Sequence, residues 1–407
     1  MGSQLKPETA DQVAEAVAWA VSEEKPLEVI GHGTKRRIGR AAQHELTLDL
    51  SGLTGITLYE PEELVLSARA GTPLSEIHQR LGEKNQELAF EPPDLSRLLG
   101  DERGAGTVGG TVACNLGGPR RIKAGAARDH FLGVNAVSGR GETFKSGGRV
   151  VKNVTGYDLC KLLAGSWGTL AVMTDVTLKV LPAAESEETV LVTGLDPARA
   201  AVAMSAAMGS SCEVSGAAHI PKMLAASSEA APVAAAGRDV TALRLEGIAP
   251  SIAYRADQLT AILQDHGTVE RIGEADSRAF WRGVRDVHFL ADGEDRMVWR
   301  LSVPPMEGGD ILTELGASHS ARGFLDWAGG LVWLDLDADA GPEAGHIRTL
   351  VAQKGGHATL IRAPEAVRSS VDVFQPEADA LEALSRRLKQ GFDPSGILNP
   401  GRMHPSR

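Results

Sequence analysis

Four residues directly behind a short apolar run, Gly31-His32-Gly33-Thr34, have the make-up of an anion cradle. Glycines lack a Cβ, so successive backbone N–H groups can converge on one anion, and the threonine hydroxyl adds a donor. That chemistry suits a phosphate. The same spacing also serves plain structural turns, and on these residues alone both readings stand. A second cluster, Gly104 to Gly118, holds six of the 46 glycines, with T-V-G-G-T at Thr107–Thr111 and N-L-G-G at Asn115–Gly118. Here a helix start and several N–H groups can meet another anionic or polar surface. Two such loops point to a dinucleotide. The spacing Gly106, Gly109, Gly110 is not G-x-G-x-x-G, and no acidic residue about twenty positions on ends a second strand, so the grip is not of the Rossmann kind. Between Pro119 and Lys152 stand eight basic side chains (Arg120, Arg121, Lys123, Arg128, Arg140, Lys145, Arg149, Lys152) against Asp129 and Glu142. This island could neutralise a pyrophosphate, guide an anionic substrate or dock an acidic partner; a solvated surface accounts for any single member as well.

The elements that must position these groups alternate over the first 182 residues. Thr9 and Gln12 form a capping-box pattern ahead of Val13, Val17, Ala20 and Val21 on one helical face. Leu27–Ile30 reads as the strand that feeds the first loop, with further strands at 56–59, 64–70 and 170–181. Thr72-Pro73 predicts a helix start with a capping hydroxyl, and Gly139-Arg-Gly141 a hairpin. Pro182 marks a boundary. Beyond it, strand-like 189–193, 240–246, 297–303 and 331–336, with alanine-rich helical stretches at 198–208 and 225–236, predict a separate α+β domain over 183–375 whose antiparallel sheet carries helices on one face. The remainder, 376–407, has a helical spacing over 376–389 and then Gly391-Phe-Asp-Pro-Ser-Gly-Ile-Leu-Asn-Pro-Gly-Arg402, too rich in turn formers for regular structure.

Composition narrows the function classes. The 407 residues carry a net charge of −11, a poor basis for nucleic-acid binding. No apolar run approaches the ~20 residues of a membrane span, and the polar start is unlike a signal peptide, so the expectation is a cytoplasmic chain without a transmembrane segment. Cys114, Cys160 and Cys212 are too scattered for a disulfide framework or an iron–sulfur cluster. Any electron-carrying metal then sits on another chain.

Taken in order, Gly31-His-Gly-Thr-Lys35, Gly106-Thr-Val-Gly-Gly110, Asn115-Leu-Gly-Gly118, Arg128-Asp-His-Phe-Leu-Gly133, Val151-Lys-Asn-Val-Thr-Gly-Tyr-Asp-Leu159, Gly165-Ser-Trp-Gly-Thr-Leu170 and Phe392–Gly401 resemble the FAD-binding proteins of the vanillyl-alcohol oxidase (PCMH) type. Within that family the chain is most similar to the FAD-binding subunits of bacterial glycolate oxidases. The resemblance implies an FAD domain over 1–182 made of two α+β subdomains, the 183–375 domain as a substrate cap, and a C-terminal segment, 376–407, that returns to the flavin. It implies that Gly31, His32, Gly33, Thr34 and Lys35, with Gly106, Thr107, Val108, Gly109 and Gly110, approach the pyrophosphate through N–H groups. Asn115, Gly117 and Gly118 would lie near the ribityl or flavin end, Val172 near the adenine and Asn399 near the isoalloxazine, with Arg128, Asp129 and Gly168 of the shared motifs also on the cofactor. Ala124 stands where relatives often have tyrosine, and His32 is one position off the covalent pattern, so the FAD is expected to be non-covalent.

The resemblance also implies a substrate and partners: oxidation of glycolate or a related 2-hydroxy acid to glyoxylate or a 2-oxo acid, in complex with a larger flavin subunit and an iron–sulfur subunit, possible attachment to the inner membrane being through the complex. Such chemistry needs a cation for the carboxylate and a base for the hydroxyl proton. None of the 11 histidines forms the H-x-G-D-G-N-L-H run of metal-dependent relatives, and no metal is expected. The candidates left are Arg282, Arg285 and His288 in 280–289 and Arg300 in 298–302, with Arg300 and His288 preferred; an arginine beside tryptophan also stacks for purely structural reasons. The alternative is a noncatalytic flavin subunit that relays electrons or stabilises the complex, with the chemistry in a partner. A stand-alone FAD oxidase of sugar-like alcohols is a third reading.

Overall fold

A computed structural model describes residues 3–405 apart from 43, 102–103, 150–155, 294, 320, 338 and 340. Val151–Thr155 of the V-K-N-V-T-G-Y-D-L run, and with it Lys152 of the basic island, lie outside the described residues.

The first helix, Ala10–Ser22, has the predicted Thr9 cap, but the Gln12 side chain reaches Glu8 N, one residue before the amide a capping box would satisfy. Thr9 Oγ1 accepts from Gln12 N at 3.2 Å and Gln12 Oε1 accepts from Glu8 N at 2.7 Å. Its buried Val13, Val17 and Ala20 pack with Leu27 and Leu48 of a three-stranded parallel sheet ordered Ser3–Leu5, Leu46–Asp49, Leu27–Ile30. A second small sheet is antiparallel throughout, in the order Ile56–Glu60, Val65–Arg69, Ala171–Lys179, Phe131–Ser138, Thr143–Gly147. Gly139–Gly141 makes the predicted hairpin between the last two. The helix after Pro73 departs from expectation: Leu74–Gly82 has no side-chain cap, because Thr72 Oγ1 donates backward to Arg69 O at 2.7 Å.

The remaining core belongs to one eight-stranded antiparallel sheet. Its order is Thr268–Ile272, Ser186–Thr193, Val240–Gly247, Gly216–Ile220, Arg322–Asp326, Leu331–Leu336, Met297–Ser302, His357–Arg362. Four of these strands have no counterpart in the sequence reading. Gly216–Ile220 is buried at every position and so lacks the alternation that marks a half-exposed strand. One face is covered by helices Pro197–Met208, Ala249–Leu263, Gly308–His319 and Ala344–Gln353, through Met204, Leu259, Ile311 and Val351. The other face corrects the one-sided picture. It carries helix Glu274–Arg285 and the short helices Lys222–Ala225 and Ala231–Ala235, and it packs Val298, Phe324 and Trp333 against Ile38, Leu116 and Trp167 of the N-terminal half.

The chain end closes the fold. Helix Asp379–Phe392 leads into Leu398, which bridges Leu27 in parallel, with Leu27 N donating to Ile397 O at 2.7 Å and Asn399 N to Leu27 O at 2.9 Å. The turn-rich tail is thus an extra edge on the strand that feeds the first glycine loop.

Candidate functional site

The strand Leu27–Ile30 delivers Gly31–Lys35 to the wall of a crevice of about 690 Å³. Gly33 sits at φ +76°, a conformation that favours glycine, and the turn leaves the N–H groups of His32, Gly33, Thr34 and Lys35 without an acceptor among the described residues. His32 turns its ring away from these amides and bonds Ala105 O through Nδ1 at 2.7 Å; a carbonyl partner makes that nitrogen the donor. Thr107, Gly109 and Gly110 line the same crevice. The two loops touch so closely that a Cβ on Gly31 would stand 2.3 Å from Thr107 Oγ1.

In one respect the second loop corrects the expectation. Val108 N donates to Thr72 O at 3.0 Å, Gly109 N to Ala70 O at 2.9 Å and Gly110 N to Thr107 Oγ1 at 3.3 Å, so these amides are already spent inside the protein. Val108 itself is core. What the loop offers is the Thr107 hydroxyl, whose hydrogen is left to donate, and the close approach that two glycines permit.

Deeper in, the wall is apolar: Leu50, Ala70, Ala171, Met173 and Trp167, with Gly168 beside them. Val172, expected at the adenine, points the other way into the core with Leu27 and Leu48, because successive strand residues face opposite sides. Its neighbours Ala171 and Met173 take the place assigned to it. Asn399 is also corrected. It is 1% exposed, accepts from Val29 N at 2.8 Å and donates to Trp167 O at 2.8 Å, so its amide clamps strand, loop and tail together and does not line the crevice. The residue it brings in is Arg402, absent from the sequence reading as a site residue although it ends the G-I-L-N-P-G-R motif. Arg402 Nη2 donates to Lys35 O at 2.7 Å, its guanidinium lies 5.6 Å from the Trp167 ring, and burial pushes it below its ordinary range. Its buried Nε has no partner among the described residues. Cys114, also on the wall, has its thiol pushed up by burial.

A second crevice, of about 800 Å³, shares Thr34 and Lys35 with the first and adds Gly106, His78, Asp94 and Arg285. Although burial raises the Asp94 carboxyl, N–H bonds from Gly104 and Ser96 hold it below the usual range. Arg285 forms a fork on Asp286, at 2.8 and 2.7 Å, and its stem packs on Gly118. Gly117 and Gly118 therefore lie beside the second crevice, outside the wall of the first. Asn115 caps its helix at φ +49° and accepts from Arg128 N at 2.9 Å; Asp129 accepts from Ala126 N at 2.8 Å. Arg128 and Asp129 are exposed and shape the turn without lining either crevice.

Three members of the basic island, Arg120, Lys123 and Arg149, are held in ion pairs among the described residues. Arg120 meets Glu87 at 2.7 Å and Glu246 at 2.8 Å, and Arg244 grips Glu91 at 2.8 and 2.9 Å, which fastens the N-terminal half to the eight-stranded sheet. Lys123 pairs with Glu213 and Arg149 with Glu60. Of the two preferred catalytic candidates, His288 stands 3.8 Å from both Glu229 and Asp286, and Arg300 lies over Trp327. Neither lines the two crevices. Among the described residues no three His, Cys, Asp or Glu side chains gather as a metal site, and no helix is long and apolar enough to cross a membrane.

Residues 4–147 match the FAD binding domain family. Glycolate oxidase subunit GlcE of Escherichia coli is 32% identical over 397 residues, covering 96% of each chain. An uncharacterized FAD-linked oxidoreductase of Mycobacterium tuberculosis is 27% identical over 97% of this chain and 89% of its own. Among solved structures, 4-ethylphenol oxidase from Gulosibacter chungangensis superposes with a TM-score of 0.74 at 12% identity, covering 99% of this chain and 89% of that one, which shows the shared fold. The site passes the same test chemically: unpaired amides, a lysine and an orphaned guanidinium N–H surround a crevice with an apolar end, as an anionic dinucleotide requires. FAD is its cofactor, and the chain belongs to the FAD-binding GlcE-type family of glycolate oxidase subunits.

Proposed function

We propose that the chain is the FAD-carrying subunit of a multisubunit complex that oxidises glycolate or a related 2-hydroxy acid, with the cofactor extended from the apolar end of the first crevice, past Thr34 and Lys35, into the second. The observation that carries this reading is the row of four unpaired amides at the junction of the two crevices. Those amides, the Thr107 hydroxyl and the ammonium of Lys35 suit the pyrophosphate, and Arg402 closes the wall over Trp167. When bound, FAD accepts the hydride that a 2-hydroxy acid gives up on becoming the 2-oxo acid. The hydroxyl proton passes to a base or to water, and the protein's own part is to hold both molecules and keep bulk water out. With three scattered cysteines, the electrons leave through another chain, as the subunit status of the E. coli relative supports. A cytoplasmic place, with any membrane contact made through partners, belongs to the same reading.

Purified protein is expected to be yellow and to bleach when glycolate is added without oxygen. A yellow protein that stays oxidised would favour the relay reading, and a folded but colourless one would sink both. Gly31→Ala tests the cradle separately. Its methyl group meets Thr107 Oγ1, and relieving that overlap costs about 1–3 kcal/mol, which weakens FAD binding on the order of 10- to 100-fold. Flavin titration of the apoprotein measures it.

A further inference from the structure

Two guanidinium groups share one tryptophan, and neither contacts an acid among the described residues. Arg121 Cζ lies 4.5 Å and Arg300 Cζ 5.0 Å from the centre of the Trp327 ring. Neither group makes a hydrogen bond or ion pair among the described residues, although the arginines around them are paired: Arg120 with Glu87 and Glu246, Arg244 with Glu91, Arg285 with Asp286. The nearest acids are poor counter-ions. Asp129 is exposed and acts on Arg121 without touching it, and Asp326 bonds Trp327 N at 2.7 Å and is pushed up to about 7 by burial, so it is only partly ionised at neutral pH.

Burial and the charge of Arg121 together push Arg300 down to about 10, the expected result of two like charges held in a half-desolvated place. An anion between them relieves both costs. Arg300 shares a sheet face with Val298, which packs in one cluster with Trp167 of the flavin crevice, and Trp327 Nε1 donates to Gly118 O at 3.0 Å. The unpaired charges therefore stand at the seam between the eight-stranded sheet and the flavin half.

We propose that Arg121 and Arg300, carried on Trp327, bind the carboxylate of the 2-hydroxy acid. This rests on the reading of the chain as a 2-hydroxy-acid oxidoreductase subunit. A planar guanidinium fork matches a carboxylate with two parallel N–H bonds, and the ring holds both forks in place without neutralising them.

The test uses the FAD-loaded protein and oxalate, a two-carbon carboxylate with no C–H to give up. Oxalate is expected to saturate the protein, read as a shift of the visible flavin band and of the melting temperature. Arg121→Gln and Arg300→Gln are expected to weaken that binding about 10- to 100-fold, while Arg140→Gln, at an exposed site away from the seam, leaves it unchanged. Arg121→Lys and Arg300→Lys keep the charge, guard against loss of folding, and are expected to weaken oxalate as well, because lysine offers no fork. Oxalate that fails to bind, or binds the folded variants as it binds the parent, overturns the proposal. The two readings fail separately: oxalate held by the arginines with no bleaching by glycolate sinks the catalytic reading alone, and bleaching with an unchanged KM in both variants sinks the carboxylate site alone.

Discussion

Asp393→Ala is expected to lower the unfolding free energy by about 3–5 kcal/mol, the cost of leaving a buried cation without its partner. The Lys389 side chain is 9% exposed, and its Nζ donates to Asp393 Oδ2 at 2.6 Å, Thr169 O at 2.7 Å and Leu398 O at 3.0 Å. Burial already presses the ammonium below its ordinary range, and the carboxylate works against that pressure. Asp393 also accepts from Ile397 N at 3.1 Å and Leu398 N at 2.8 Å, so the substitution orphans two amides in the segment that pairs with Leu27. The consequence reaches the cofactor. Once 397–399 loosens, Asn399 no longer clamps Val29 to Trp167 and Arg402 leaves the crevice wall. Urea unfolding should show the loss of stability, and flavin release should begin at a lower denaturant concentration than global unfolding. Asp393→Asn, which keeps an acceptor but not the charge, should fall between the two. An unchanged midpoint in Asp393→Ala would show that the tail is not held by this knot.

The second large effect lies at the junction of the two halves. Glu91→Gln is expected to cost about 3–5 kcal/mol, because Arg244, 1% exposed, would lose its hydrogen-bonded counter-ion and keep, among ion pairs of the described residues, that with Glu246 at 3.4 Å. Glu91 is placed for this by a left-handed backbone, φ +48°, and its carboxylate accepts from Arg120 N at 2.6 Å as well as from both ends of the Arg244 fork. Although burial raises its carboxyl, Arg244 and Arg120 outweigh that and hold it at about 2 against an ordinary 4.5. A depressed folded pKa stabilises the protein fully above 4.5, and that contribution is lost as the pH falls from 4.5 toward 2. The stability gap between parent and Glu91→Gln should accordingly be widest at neutral pH and shrink over that interval. Chemical denaturation at a series of pH values measures it, and a gap that does not narrow in acid would contradict the ion-pair account.

How much of this was legible beforehand depended on whether the signal was local. The Thr9 cap, the strand 27–30 and the hairpin at 139–141 involve residues within a few positions of one another, and each formed as read. Four strands of the large sheet were not legible; Gly216–Ile220 and Arg322–Asp326 are buried on both faces and carry no alternation, whereas Thr268–Ile272 is a largely exposed edge strand without an apolar face to mark it. Site residues divide along the same line. Gly31 and Gly33 were readable from residue type alone, since close approach and positive φ are properties of glycine. Val172 was misread by one position, which on a strand exchanges core for crevice.

By itself, then, the sequence determined the nature of the grip: glycine turns after a strand, hydroxyls and a lysine for an anion, and a non-repetitive tail specified well enough to dock. Only the tertiary structure decided which of those groups are free to act. It spent the amides of Val108 and Gly109 on Thr72 and Ala70 and that of Gly110 on the Thr107 hydroxyl, gave the Asn399 amide to Val29 and Trp167, and paired Arg120 while leaving Arg121 beside Arg300 unpaired. The physical reason is that a polar group's availability is set by what else lies within hydrogen-bonding distance of it, and for these residues those neighbours come from up to several hundred positions away.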